Sequence, residues 1–378
     1  MSAEAAPPLA GIKVIEFARV LAGPWAGQVL ADLGAEVIKV ESPAGDDTRA
    51  WGPPFIANPD RSQDAAYFHA TNRGKRSLVL DLSSAEGQAR ARELVAGADV
   101  VIENFKLGGM ARFGLDYETL AAINPGLVYC AITGFGQDGP YAARAGYDFI
   151  VQGMSGIMDL TGVPEGPPQK IGVAFADIMT GLYAVIAIQA ALAERARSGR
   201  GQMIDMALLD VMTGVLANQA MNHLAGGTTP MRMGNAHPNI VPYAVFPAAD
   251  GWLILAVGND GQFARLGAVL GLAMQPGWET NPGRLADRFT LTAAIEAATA
   301  RWARDDLLAA LEAQGVPAGP INTVAQAFAD PQIRHRGLEL AMPREADGST
   351  VPGVALPIRF SRSPLAAPRP SPGLGDMN

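Results

Sequence analysis

Along the first third of the chain, short apolar runs alternate with amphipathic stretches. Residues 12–17 (IKVIEF) read as a strand, 23–33 as a helix stopped by Gly34, and 36–40 (EVIKV) as a second strand. A strand–helix–strand unit with such short loops implies parallel pairing. The alternation continues with a strand at 78–82, a helix at 85–96, and strands at 100–103 and 127–132. From 171 to 193 the chain reads IGVAFADIMTGLYAVIAIQAALA, and Asp177 is its one charged residue. Residues 178–193 are apolar almost all round, which predicts a buried helix with Gly199 as terminator. A strand and a helix to about His223 follow. Residues 225–239 are rich in Gly and Met, have little periodicity and read as a domain junction. A hairpin over 242–247 and 252–257, helices near 262–272, 291–298 and 305–314, a short helix at 324–328 and a strand-rich tail complete the reading. The pattern is that of an α/β chain with a smaller α+β domain after the junction.

Composition narrows the class. The chain has 378 residues, enough for two domains, and a net charge of −8, which argues against nucleic acid as the main partner. A local basic patch can still hold phosphate. The single cysteine, Cys130, lies in an apolar strand and excludes an internal disulfide or thiolate metal cluster. The four histidines have no metal-ligand spacing, so no metal is expected. The first eight residues lack a basic leader pattern. The charge-free run 178–193 is 16 residues, short of the roughly 20 a spanning helix needs. The expectation is a cytoplasmic protein without a membrane partner. With 43 Gly and 28 Pro, about a fifth of the chain against a usual 12%, many sharp connections are implied.

The turn after the first strand, ARVLAGPWAG, lacks the G-x-G-x-x-G that a dinucleotide needs, which argues against a nicotinamide dehydrogenase. Ser155 sits in GMSG rather than a serine-hydrolase elbow. Two basic turns stand out. Asn72-Arg73-Gly74-Lys75-Arg76-Ser77 precedes one strand, and Glu103-Asn104-Phe105-Lys106 with Arg112 follows another. Either is readable as a solvated turn, and both as holders of a ligand with several phosphates. Asp177 has two compatible readings. It caps the helix that follows, and as a carboxylate kept ionised by the free N–H groups of the first turn it is a nucleophile.

Taken together, LAGIKVIEFARVLAGPWAG, LADLGAEVIKVESPAGDDTR, TNRGKRSLVLDL, ENFKLG, TGFGQDGPYA, GYDFIVQGMSG, ADIMTGLYA, GQMIDMALLD, HPNIVPY and GVPAGPIN resemble the family III CoA-transferases, whose cousins are the α-methylacyl-CoA racemases. The resemblance implies a Rossmann-like large domain (1–224), a small inserted α+β domain (225–315) and a linker returning to the large domain (316–378). It implies an interlocked homodimer, with an acyl-CoA and a free carboxylic acid as partners and coenzyme A as co-substrate. Asp177, in the A-D-x-x-x-G position, would be the nucleophile that carries CoA as an aspartyl thioester. Arg19, Val20 and Ala22 would line the adenine and pantetheine path, and Lys75, Asn104, Phe105, Lys106 and Arg112 would hold CoA. Phe135 and Tyr147 would wall the acyl pocket, and the glycine loop Gly258–Gly261 would close over it. Two departures are visible. Ser42 stands where some members have arginine, and the tail ends where many continue.

The racemases place a histidine base in a G-H-D motif, which here is Gly146-Tyr147-Asp148. Tyrosine titrates near 10 and makes a poor base at neutral pH, which favours transfer over racemisation. A non-catalytic CoA-binding protein, with Asp177 as a mere cap, is the third reading.

Overall fold

The computed structural model describes residues 5–378. Residues 1–4, the start of the stretch read for a leader, lie outside it. Contacts divide the chain into two units, one of residues 1–157, 170–226 and 331–378, the other of 158–169 and 227–330. The second unit thus ends at 330, later than the expected 315, and takes in a segment from before the long helix.

The larger unit is built on six parallel strands: β1 (Lys13–Glu16), β2 (Glu36–Glu41), β3 (Arg76–Val79), β4 (Val100–Glu103), β5 (Val128–Thr133) and β6 (Met203–Ala207). Their order is 3-2-1-4-5-6, the doubly wound arrangement with its switch point between β1 and β4. Strand periodicity separates the two faces. Val14, Val100, Ile102, Val128, Cys130 and Ile132 pack under one layer of helices. Ile15, Val101, Tyr129 and Ala131 pack under the other. The first layer holds α1 (Ala22–Asp32) and the second α2 (Ala85–Ala96), both close to expectation. The expected strand-rich tail is one hairpin, Glu339–Pro343 with Thr350–Val354, followed by irregular chain. Its last residues run along β3: Asp376 accepts from the Ser77 N–H at 2.6 Å, and Met377 donates to the Ser77 carbonyl at 3.0 Å. They pair an edge that would otherwise be open.

Beyond α3 (Asp148–Met154) runs α4 (Phe175–Ser198), and α5 (Leu208–Gly214) follows β6. Helix α4 has 24 residues, long and apolar enough by composition to cross a membrane, which overturns the length argument made from the charge-free run. Seven of its residues, from Ala176 to Ala191, are buried at helical spacing. Leu182, Tyr183 and Ile186 on its outer side are exposed, so it is not buried all round. Gly199 ends it with φ 73°.

The second unit is α+β. Tyr243–Ala248, Gly251–Ala256 and Ala318–Pro320 form an antiparallel sheet. Phe246, Leu253, Leu255, Phe263, Leu266, Trp278, Leu291, Ile295 and Leu307 make its own core.

Candidate active site

A cleft of about 490 Å³ opens at the carboxyl ends of β1, β4 and β5, where a doubly wound sheet binds its ligands. Arg19, Val20, Ala22, Asn104, Phe105, Lys106, Arg112, Tyr147 and Asp177 all line it. Nine expected residues, drawn from four separate stretches of sequence, therefore share one wall.

The loops after β1 and β4 are clamped together. The Arg19 N–H donates to Asn104 Oδ1 at 2.9 Å, and Asn104 Nδ2 donates to the Arg19 carbonyl at 2.7 Å. Val20 has φ 71°, a left-handed conformation unusual for a β-branched residue. Its N–H donates to Asp46 Oδ2 at 3.2 Å, which helps to hold that strained turn at the mouth of the cleft. Lys39, at 2.9 Å, and Thr48 hold Asp46 in turn. Burial alone would raise the Asp46 pKa, but the Lys39 charge and these hydrogen bonds outweigh it and hold the carboxyl at about 2.

Beneath these loops lies a buried chain of charges. Glu16 takes both Lys39, at 3.2 Å, and Lys75, at 2.8 Å, and all three side chains are shut off from solvent. Helix α1 admits this carboxylate only because residue 27 is glycine, since a Cβ there would lie 1.8 Å from Glu16 Oε2. Lys75 is thereby a correction. Its ammonium spends its donors on Glu16, the Pro24 carbonyl and Asn72 Oδ1, at 2.8–2.9 Å, and it is not among the residues that line the cleft. A turn with three cations carries no signal that one of them points inward.

Asp177 is partly buried in the cleft wall. It is not the helix cap: α4 begins two residues earlier, which puts Asp177 in the first turn. The capping role belongs to Asp148. Its Oδ1 accepts from the Ala176 N–H at 2.7 Å and, more weakly, from the Asp177 N–H at 3.4 Å. Gln152 holds the other oxygen of Asp148 at 2.8 Å. A cap supplied from 28 residues upstream is invisible to a local reading. Nor does the helix terminus keep Asp177 in the ordinary carboxylate range. Burial, and then the neighbouring Asp148 charge, push it up to about 7.

Phe135 is not among the lining residues. Its ring packs edge-on against Tyr141, centroids 5.8 Å apart. Gly134 and Gly146 meet backbone to backbone, a Cβ on Gly146 falling 2.3 Å from the Gly134 Cα, and this contact pins the loop that carries Tyr147 and Asp148. Gly258 and Gly261 belong to the smaller unit. The Gly258 N–H donates to Gln262 Oε1 at 2.7 Å, so it is not a free donor. Cys130 is buried, as its strand implied. Among the described residues no cluster of His, Cys, Asp or Glu is placed to hold a metal. Asp46, Asp148, Glu16 and Lys39 are positioning residues to which sequence reading gave no role; Asp148 had been noted only within the G-Y-D motif, and Lys75 only as a ligand of CoA.

The sequence profile of CoA-transferase family III matches residues 9–378. The chain is 60% identical to the succinate–glutarate CoA-transferase of Agrobacterium fabrum, over 98% of this chain and 94% of that one. It is 41% identical to the human succinyl-CoA:glutarate CoA-transferase, over 97% and 84%. Among solved structures, a CaiB/BaiF family protein from Brucella suis superimposes with a TM-score of 0.88 at 61% identity, covering 99% of this chain and 97% of that one.

Proposed function

Because the chain belongs to CoA-transferase family III and moves CoA between an acyl-CoA and a free carboxylate, we propose that Asp177 is its nucleophile and that CoA is carried as an aspartyl thioester. The observation that carries this reading is the position of Asp177. It is a partly buried carboxylate on a helix start held by Asp148, in one cleft with the cations Lys106 and Arg112. Its proton, held to about 7, makes it more basic than an ordinary acid and hence a stronger nucleophile, while about half of it is ionised at neutrality.

The carboxylate attacks the donor thioester carbonyl. The C–S bond breaks, giving an acyl–aspartyl anhydride and CoA thiolate. The thiolate attacks the aspartyl carbonyl and expels the donor acid, which leaves CoA on Asp177. The acceptor carboxylate attacks this thioester, releases the thiolate and forms a second anhydride. The thiolate then takes the new acyl group, and Asp177 leaves as carboxylate. Overall one thioester is exchanged for another of similar energy, and no proton is consumed.

Lys106 and Arg112 suit the CoA phosphates. Arg19, Val20, Ala22, Asn104 and Phe105 suit its adenine and pantetheine, and Tyr147 the acyl side. The substrates named for the relatives favour a dicarboxylic acid as acceptor. A homodimer is the expected assembly, supported by the exposed apolar side of α4.

The test is Asp177→Asn. Wild type incubated with succinyl-CoA and quenched in acid carries a CoA adduct on the Asp177 peptide by mass spectrometry. The variant folds, carries none, and loses roughly a thousandfold or more in turnover. Retained transfer, or an adduct on another residue, removes Asp177 from the mechanism.

A further inference from the structure

The cleft holds a fourth cation beside Arg19, Lys106 and Arg112. Arg144 lines the same wall as Tyr147, Asp148 and Asp177. Its guanidinium lies 3.9 Å over the ring of Tyr141, which is itself braced by Phe135. Among the described residues Arg144 has no carboxylate partner, whereas Arg19 is held by Asp47 at 2.8 Å. An exposed arginine held over an aromatic ring gives up few of its N–H groups, and its planar fork stays open for a bidentate partner.

Placement separates Arg144 from the CoA cations. Lys106 and Arg112 come from the segment after β4. Arg144 stands four residues before Asp148, whose carboxylate grips the backbone at Asp177. The Gly134–Gly146 contact fixes the base of that loop. Arg144 is thus carried on the same pinned loop as Asp148, the residue that holds the backbone at Asp177, and lines the same cleft.

The chemistry of a dicarboxylic acid requires such a group. One carboxylate reacts at Asp177, and the other is brought into a wall that already carries Asp148 and Asp177. Without a cation, the second negative charge would be repelled from both. We propose that Arg144 recognises the distal carboxylate of a dicarboxylic acyl group and sets the preference for diacids over monoacids. This assignment rests on the reading of Asp177 as the acceptor of CoA.

The experiment compares glutarate and adipate with valerate and hexanoate as acceptors, for wild type, Arg144→Ala and Arg144→Lys. In a double-displacement reaction kcat/KM for the acceptor does not contain the donor half-reaction, so one donor, succinyl-CoA, serves throughout. Wild type prefers the diacids. Arg144→Ala lowers kcat/KM for them roughly 10–100-fold, chiefly through KM, and changes the monoacids less than about twofold. Arg144→Lys falls between, because it keeps the charge and loses the fork. An equal loss on all four acids, or no loss, overturns the Arg144 assignment and leaves the CoA adduct on Asp177 untouched. A wild type indifferent to the second carboxylate overturns the diacid reading itself.

Discussion

At the scale of single residues, the central pair is Asp148 and Asp177. Asp148 does two things at once. It caps the start of the helix by accepting from the Ala176 N–H, and its charge makes Asp177 harder to ionise. A neutral residue with the same oxygen separates the two. In Asp148→Asn the cap persists, since asparagine caps as well as aspartate. The neighbouring negative charge is lost, so the Asp177 pKa falls from about 7 toward the ordinary carboxylate range. In the proposed mechanism the attacking form of Asp177 is the ionised one. Wild-type kcat/KM for acyl-CoA therefore rises with pH through an apparent value near 7, and in Asp148→Asn this limb moves to lower pH. A pH–rate profile measured between pH 4 and 9 checks it. An unmoved limb means that a group other than Asp177 titrates there.

At the scale of elements, the first βα unit is organised from beneath. Glu16 on β1, Lys39 on β2 and Lys75 before β3 form one buried chain that reaches Asp46 and the strained Val20 turn. Breaking such a chain leaves an uncompensated charge in the interior, at a cost of about 3–5 kcal/mol. Lys75→Ala is therefore expected to lower the denaturation midpoint markedly, with CoA affinity falling only as the loop loosens. Arg112→Ala should do the reverse. Arg112 is exposed at the cleft, and its loss should weaken CoA binding about tenfold with no change in midpoint. Denaturant titration beside calorimetry of CoA binding distinguishes the two. A stable Lys75→Ala that binds CoA poorly would restore Lys75 to the ligand.

At the scale of the whole molecule, assembly is the open consequence. The 39.4 kDa chain exposes Leu182, Tyr183 and Ile186 on its longest helix. A row of this kind on a helix outer side is characteristic of an interface. Light scattering on the purified protein is expected to give twice the chain mass. A monomer at micromolar concentration would count against the homodimer.

The sequence by itself determined most of the elements and the family. Helix 85–96 and strand 100–103 were legible to the residue, because their burial follows a local period and their ends carry local signals. The A-D-x-x-x-G aspartate and the E-N-F-K turn were legible because their residue types are unusual in apolar or glycine-bounded surroundings. Tertiary structure decided which way each charge faces. Lys75 and Arg112 both sit in basic turns, yet one is sealed beneath β1 and the other stands in the cleft. Asp177 and Asp148 lie 29 residues apart, and only their meeting at the start of α4 makes one the cap and the other the poised carboxylate. Desolvation and charge–charge coupling act through space, so a one-dimensional pattern can name the ionisable groups but not their partners.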